Sequence, residues 1–233
     1  MIDLETAFPI SRRTVELRGL VGLVVIDPGV GFVRRGALSD PERMVPMCTR
    51  IGAVYRELVG RLGEDLRTCV FLDTHAADIP EPPYPPHCVV GTGEELIDEE
   101  LAWLVEEPRV TVIKKDCING FVGSIDRDTG RNAFAEWVKG EGVTTLLVTG
   151  DCTDICVSDF VVTALSARNH GLFTRAAPAD RGAYTAAITG FEIVVLPDAC
   201  ATFEAPGHAS APAHHVGLWL MASRGAVIAA ELR

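Results

Sequence analysis

No stretch of this chain approaches the ~18 to 20 consecutive apolar residues that a membrane-spanning helix requires. The opening MIDLETAFPISRR lacks the apolar core and small-residue cleavage site of a secretory signal. Cationic residues are also scarce: 21 Lys and Arg stand against 32 Asp and Glu, a formal charge of −11. A nucleic-acid or anionic-membrane partner is disfavoured, because both need a basic surface that displaces counterions. Seven cysteines are an odd number in a chain too long to need staples. Reduced thiols are expected rather than a disulfide framework, and with them the cytoplasm. Cys48, Cys69 and Cys200 read as small buried apolar residues. Internal repeats, heptads and low-complexity tracts are missing as well.

What is present is the makeup of a globular protein, 48% hydrophobic and 23% charged over 233 residues. One domain, 1–233, is the simplest organisation. LVGLVVID (20–27) is a continuously apolar run ended by Pro28 and Gly29, and reads as a buried strand. Further strands are expected at 67–73, 108–115, 143–150, 191–198 and 226–232, with helices at 47–62, 132–142, 154–171 and 214–225 between them. Continuous hydrophobicity and intervening helices predict a parallel sheet covered on both faces. The expected fold class is therefore α/β, a three-layer αβα sandwich on six mainly parallel strands. Residues 172–190 break the rhythm and read as an excursion or hairpin. Residues 76–92, with five prolines, read as a stiff loop.

Ligands of open parallel sheets gather at the carboxyl ends of the strands. Asp27, Asp73, Lys114 or Lys115, and GDCTDIC (150–156) all fall at such ends. In GDCTDIC, Thr153 or Asp154 suits a helix N-cap, which leaves Cys156 in the first turn and Cys152 before it. The helix terminus would favour a thiolate at Cys156 and lower its pKa, making it the better nucleophile, while a buried structural cysteine fits the pattern equally. Four-residue spacing is not a C-x-x-C redox motif, and no second cysteine pair offers a zinc finger. Asp27 reads either as a turn former before Pro-Gly or as a proton acceptor for a thiol. The Lys-Lys pair is either solvated or contributes one ammonium to the cleft.

Asp73 and His75 share one side of an extended strand end, and the proline-rich loop returns with His87. Two nitrogens and one oxygen suit Zn²⁺, Fe²⁺ or Mn²⁺ with positions left open. Glu81 and Asp78 stand in the same loop as further ligands or as solvated acids. GTGEEL (91–96) lacks the Walker lysine and reads as a turn followed by a helix start. His214-His215 belong to the last helix in a surface or core role, and Trp103, Trp137 and Trp219 to the core.

Together LVVIDPGVGF, YPPHCVVGTGEEL, KKDCINGF and VTGDCTDICV resemble the isochorismatase-like cysteine hydrolases. KDC-x-x-GFVGS, TDICV-x-DFV-x-TALSARNHG, CATF and HHVGL-x-x-A-x-RGA are most similar to the plant-type nicotinamidases. The resemblance spans essentially the whole chain and implies a Rossmann-like strand order. It implies an Asp27–Lys115–Cys156 triad, Lys115 being the lysine six residues before an aromatic, here Phe121. It implies metal ligands Asp73, His75 and His87 with Glu81 as the fourth, and a divalent ion, zinc first, with iron or manganese as alternatives. It implies an oxyanion hole from the amides of Cys152 and Cys156 behind a cis Asp151–Cys152 bond, and rings of Phe32 and Tyr84 against the substrate.

The implied activity is hydrolysis of nicotinamide to nicotinate and ammonia through a cysteine thioester, in pyridine-nucleotide (NAD) salvage, by an enzyme forming homo-oligomers. The chain departs from the family at D-P-G, where D-x-Q is common, and at Tyr84, where many relatives carry tryptophan. Both departures bear on the substrate, so another heteroaryl carboxamide or a carbamoyl compound is the alternative. Isochorismate hydrolysis would leave the ligand set and Cys156 unused. A non-catalytic metal-binding or thiol-sensing domain is the rival from outside enzymology.

Overall fold

The computed structural model describes residues 3–233, so the first two residues of the N-terminal stretch read above lie outside the described residues. In chain order the elements are α1 (Leu4–Ala7), β1 (Arg12–Val15), β2 (Val21–Ile26), α2 (Val30–Val33), α3 (Pro41–Leu62), β3 (Leu66–Asp73), β4 (Val110–Lys115), α4 (Gly120–Gly123), α5 (Ala133–Glu141), β5 (Thr145–Asp151), α6 (Cys156–Asn169), α7 (Arg181–Thr189), β6 (Glu192–Ala201), α8 (Ser210–Ser223) and β7 (Val227–Leu232).

These strands form one sheet in the order β1-β7-β6-β5-β2-β3-β4, and every pairing is parallel. The sheet has seven strands, not six. The extra strand, β1, is the short and polar RRTV, exposed except at Val15 and paired with β7 at one edge, so it carries no apolar run to announce it. Counted without it, the six expected strands stand in the doubly wound order 3-2-1-4-5-6.

Side chains of β2 alternate between two cores. Val24 and Ile26 face the cluster built with α5, α6 and α8, whereas Leu23 and Val25 face the one built with α3. Burial on both sides is why β2 is apolar without a break. α3 begins where Asp40 accepts a hydrogen bond from the Arg43 amide and Pro41 takes the first position, and it buries Met44, Cys48, Ile51 and Leu58. Cys48, Cys69 and Cys200 are indeed buried. Trp103, Trp137 and Trp219 are half-buried; Trp103 and Trp137 pack at the rims of the cores, and Trp219 packs edge-on against Phe8.

Residues 91–96 form turns and no helix: Gly91 and Gly93 both have positive φ (85° and 81°) and keep reversing the chain. The 172–190 segment holds α7, capped by Asp180, and no strand.

The winding direction reverses between β2 and β5, the place where ligands bind in this topology. There the two backbones come very close. Gly150 has φ 117°, and a Cβ on it would fall 2.0 Å from the Ile26 carbonyl oxygen. Asp27 follows β2 with φ 51°, a left-handed turn that Asp tolerates better than most residues. Its amide donates to the Phe71 carbonyl at 3.1 Å.

Candidate active site

Asp27 after β2, Lys115 at the end of β4 and Cys156 at the start of α6 meet in one buried cluster. The Lys115 side chain has no exposed surface, and its Nζ lies 2.9 Å from Asp27 Oδ2 and 2.9 Å from Asp73 Oδ1. Lys114, one residue earlier on β4, points the opposite way and is exposed. The contact of Lys115 with Asp73 is a hydrogen bond, whereas its contact with Asp27 is an ion pair off the hydrogen-bonding angle. Neither oxygen of Asp27 has a hydrogen-bond partner of good geometry.

Burial pushes the Asp27 carboxyl up to about 7, against the opposing pull of Lys115, and the Cys156 thiol faces the same carboxylate. Burial works against charge on Asp73 too. There, Lys115 and hydrogen bonds from His75 and His87 outweigh it and hold the carboxyl well below its usual range.

Cys156 opens α6, so its amide has no acceptor within the helix. The expected N-cap is not formed. Ile155 occupies that position without a side-chain cap, Thr153 Oγ1 is 2.8 Å from His214 Nδ1, and Asp154 is engaged by His208. Nor is the Cys156 thiol lowered. Burial of the sulfur, 8% exposed, pushes it well above the ordinary value and outweighs the attraction of Lys115. Helix position alone did not account for that burial. The peptide between Asp151 and Cys152 is cis.

On the other side of Lys115 stand Asp73, His75, Glu81 and His87, with one ligand atom of each within 4.8 Å of every other. Asp78 is exposed and outside this group. His75 Nε2 and His87 Nε2 lie 2.9 and 3.0 Å from Asp73 Oδ2, and each is 3.6 Å from Glu81 Oε2. Glu81 is fixed from behind by the Ile118 amide, which donates to Oε1 at 2.6 Å. His87 Nδ1 donates to the Pro85 carbonyl at 2.8 Å, which fixes the ring with its Nε2 turned toward the carboxylates of Asp73 and Glu81. Ring nitrogens and carboxylates converging on one point, held from behind by the Pro85 carbonyl and the Ile118 amide, fit a divalent cation.

A narrow pocket joins the two halves. Cys152 and Cys156 line it, as do Phe32 and Tyr84, both packed against the His87 ring. Ile118, Ile155, Leu38 and Phe203 complete its wall. A broader groove between α3 and β6–β7, lined by Arg50, Glu57 and Asp198, holds none of these groups. Sequence reasoning did not single out the apolar wall residues, whose pattern is that of ordinary core. It also passed over Asp151, fully buried with both oxygens unpartnered, whose carboxyl burial pushes well above the usual range. Its signal was an acid ending an apolar strand, as at Asp27. His214 and His215 are half-buried on α8, and His215 Nε2 donates to the Phe8 carbonyl at 2.8 Å.

A Rossmann-order sheet with a thiol, an acid and an ammonium at its switch point defines the class, an α/β protein equipped for nucleophilic chemistry. The family profile of the isochorismatase domain matches residues 21–177. Nicotinamidase 1 of Arabidopsis thaliana is 39% identical in an alignment of 228 residues that covers 91% of this chain and 86% of that protein. The chain belongs to the isochorismatase family. Solved structures with this fold include the nicotinamidase PncA of Bacillus subtilis, 24% identical with a TM-score of 0.63 over 90% of this chain and 98% of that one. Another is the pyrazinamidase of Pyrococcus horikoshii in complex with zinc, 22% identical with a TM-score of 0.62 over 89% and 97%.

Proposed function

We propose that the protein is a nicotinamidase, a cysteine amidohydrolase that converts nicotinamide to nicotinate and ammonia. The observation that carries this reading is the buried Lys115 ammonium 2.9 Å from an Asp27 carboxylate that has no hydrogen-bond partner and faces the Cys156 thiol. Such a carboxylate is ready to take a proton. The 39% identity to a plant nicotinamidase supplies the substrate.

Asp27 takes the proton of Cys156 Sγ, and the sulfur attacks the carboxamide carbon held beside it by Phe32 and Tyr84. The amides of Cys156 and Cys152 receive the oxyanion, each contributing about 3 kcal/mol to lowering the barrier. Collapse of this intermediate breaks the C–N bond, and Asp27 returns its proton to nitrogen so that ammonia leaves. A water then gives a proton to Asp27 and its hydroxide to the thioester, nicotinate departs, and the proton goes back to sulfur. Lys115 orients Asp27 and offsets its charge throughout.

Asp73, His75, His87 and Glu81 would hold the metal, for which zinc suits the two nitrogens and two oxygens. When bound, it supplies a Lewis acid for the pyridine nitrogen. We place the reaction in the cytoplasm, supported by seven free thiols, and assign the enzyme a homo-oligomeric state and one domain. Among the described residues no helix is long and apolar enough to cross a membrane. Ammonia release from nicotinamide by the wild type and its loss in Cys156→Ala test the reading. Substantial release by the variant overturns it.

A further inference from the structure

Of the cavity-wall residues that the mechanism above leaves without a role, Phe203 is the aromatic one. Phe203 stands two residues beyond the end of β6 and lines the cavity beside Ile155, Cys152 and Cys156. Phe32 and Tyr84 rest on His87, whereas Phe203 rests on a different histidine. The His208 ring stacks on it with centroids 4.1 Å apart and planes 16° from parallel.

Both nitrogens of His208 are committed. Nδ1 is 3.0 Å from the carbonyl oxygen of Phe203 itself, and Nε2 is 2.8 Å from Asp154 Oδ2. A carbonyl and a carboxylate only accept, so both ring nitrogens must donate, and only the imidazolium has two N–H groups. The geometry therefore specifies a charged His208. It clasps the backbone of the residue whose ring it covers and anchors that residue to the loop between Cys152 and Cys156. The anchor is firm, because α8 presses on it at Gly217, where a Cβ would lie 2.8 Å from Asp154 Cα. At the loop's near end the Glu204 amide donates to Asp40 Oδ2 at 3.0 Å. Glu204 Oε2 accepts from the Ser210 amide and hydroxyl at 2.8 and 2.7 Å.

We infer that Phe203 is a specificity-determining wall of the substrate pocket, held in place by the His208–Asp154 ion pair as a positioning device. This rests on the amidase reading and assigns the affinity of that same site for an aromatic carboxamide. Burial of the His208 ring opposes its charge and Asp154 outweighs burial, so His208 titrates above its ordinary range. The other charged or titratable groups around it are Glu204 on its own loop, Arg43 and Asp40 at the start of α3, His214 of α8 behind Thr153, and Tyr84 across the cavity. A histidine with a raised pKa keeps its clasp at pH values below its ordinary range and loses it as pH climbs through the raised value. Once neutral, it leaves either Phe203 O or Asp154 facing a bare nitrogen, and the wall loosens.

The test is KM and kcat for nicotinamide from about pH 6 to about pH 9 in wild type, Phe203→Ala, Phe203→Leu and His208→Gln. For Phe203→Ala, KM is expected to rise about tenfold with kcat within about twofold, and Phe203→Leu to recover part of the loss. Wild-type KM is expected to climb at the alkaline end, and His208→Gln to start high and stay flat. A ¹⁵N spectrum of the folded wild type, which no folding failure can obscure, is expected to show His208 protonated on both nitrogens at neutral pH, and Asp154→Asn to abolish this. Wild-type KM in Phe203→Ala, an unaltered KM profile in His208→Gln, or a neutral His208 overturns the inference while the amidase reading stands. No ammonia from nicotinamide with the wild type overturns that reading, and the pocket role with it.

Discussion

Asp27 and Asp73 are both buried, and both lie 2.9 Å from the same ammonium, yet they are driven in opposite directions. Burial carries Asp27 up to about 7, while Asp73 stays well below the carboxylate range. A shared charge cannot explain a difference. The surroundings can: Asp73 receives hydrogen bonds from Lys115, His75 and His87, whereas Asp27 has only Lys115 and the Cys156 thiol beside it, and these do not offset its burial. One lysine thus serves an acid suited to exchanging protons near neutrality and another suited to remaining an anion that binds a cation. Asp151, with no direct ion pair and no hydrogen bond, marks the extreme of the series.

The most direct way to break the comparison is Asp27→Asn, which removes the exchangeable proton and should lower kcat about 10²- to 10⁴-fold in an ammonia assay. The same carboxylate sets an acid limb. Because its pKa is raised, the group is protonated and idle below about pH 7, so wild-type kcat/KM should rise through that value as pH increases. A limb near the ordinary carboxylate value would mean that Asp27 is not the acceptor.

Removing the shared partner should harm both acids. Lys115→Ala leaves two buried carboxylates without their cation and should destabilise the fold by about 3 to 5 kcal/mol in urea titrations. Lys114→Ala, on the exposed face of the same strand, should stay within about 0.5 kcal/mol of wild type. The comparison is sharpened by Asp73→Asn, which should weaken retention of zinc against a chelator by about 10- to 100-fold while the Asp27 limb persists. Retention as tight as wild type would remove Asp73 from the ligand set.

Much of this architecture was legible because continuous apolar runs state burial on two faces, as in VGLVVI of β2. β1 was not, since RRTV earns its place through pairing with β7 and not through hydrophobicity. The positions of Asp27, Asp73 and a lysine at strand ends followed from the order of elements, the choice of Lys115 over Lys114 came from the family resemblance, and the meeting of His75 with His87 came from strand alternation and the returning proline-rich loop. Two features of the nucleophile loop did not follow. Thr153 and Asp154 look like caps in sequence, but partners on α8 and in the 202–209 loop claim their side chains. The thiol of Cys156 was expected to be acidic from its place on a helix, and the depth of the sulfur reverses the sign. Depth is a property of the assembled cavity. Phe203 and Ile155 escaped notice for a related reason, because an apolar residue facing a cavity is written like one facing a core.

At Gly150 the clearance between the two central strands is smaller than a methyl group. The mouth of the cleft is therefore gauged by a missing carbon. Alanine at that single place would act as a wedge, driving the acid-bearing turn and the sulfur-bearing turn apart while leaving every reactive atom chemically intact.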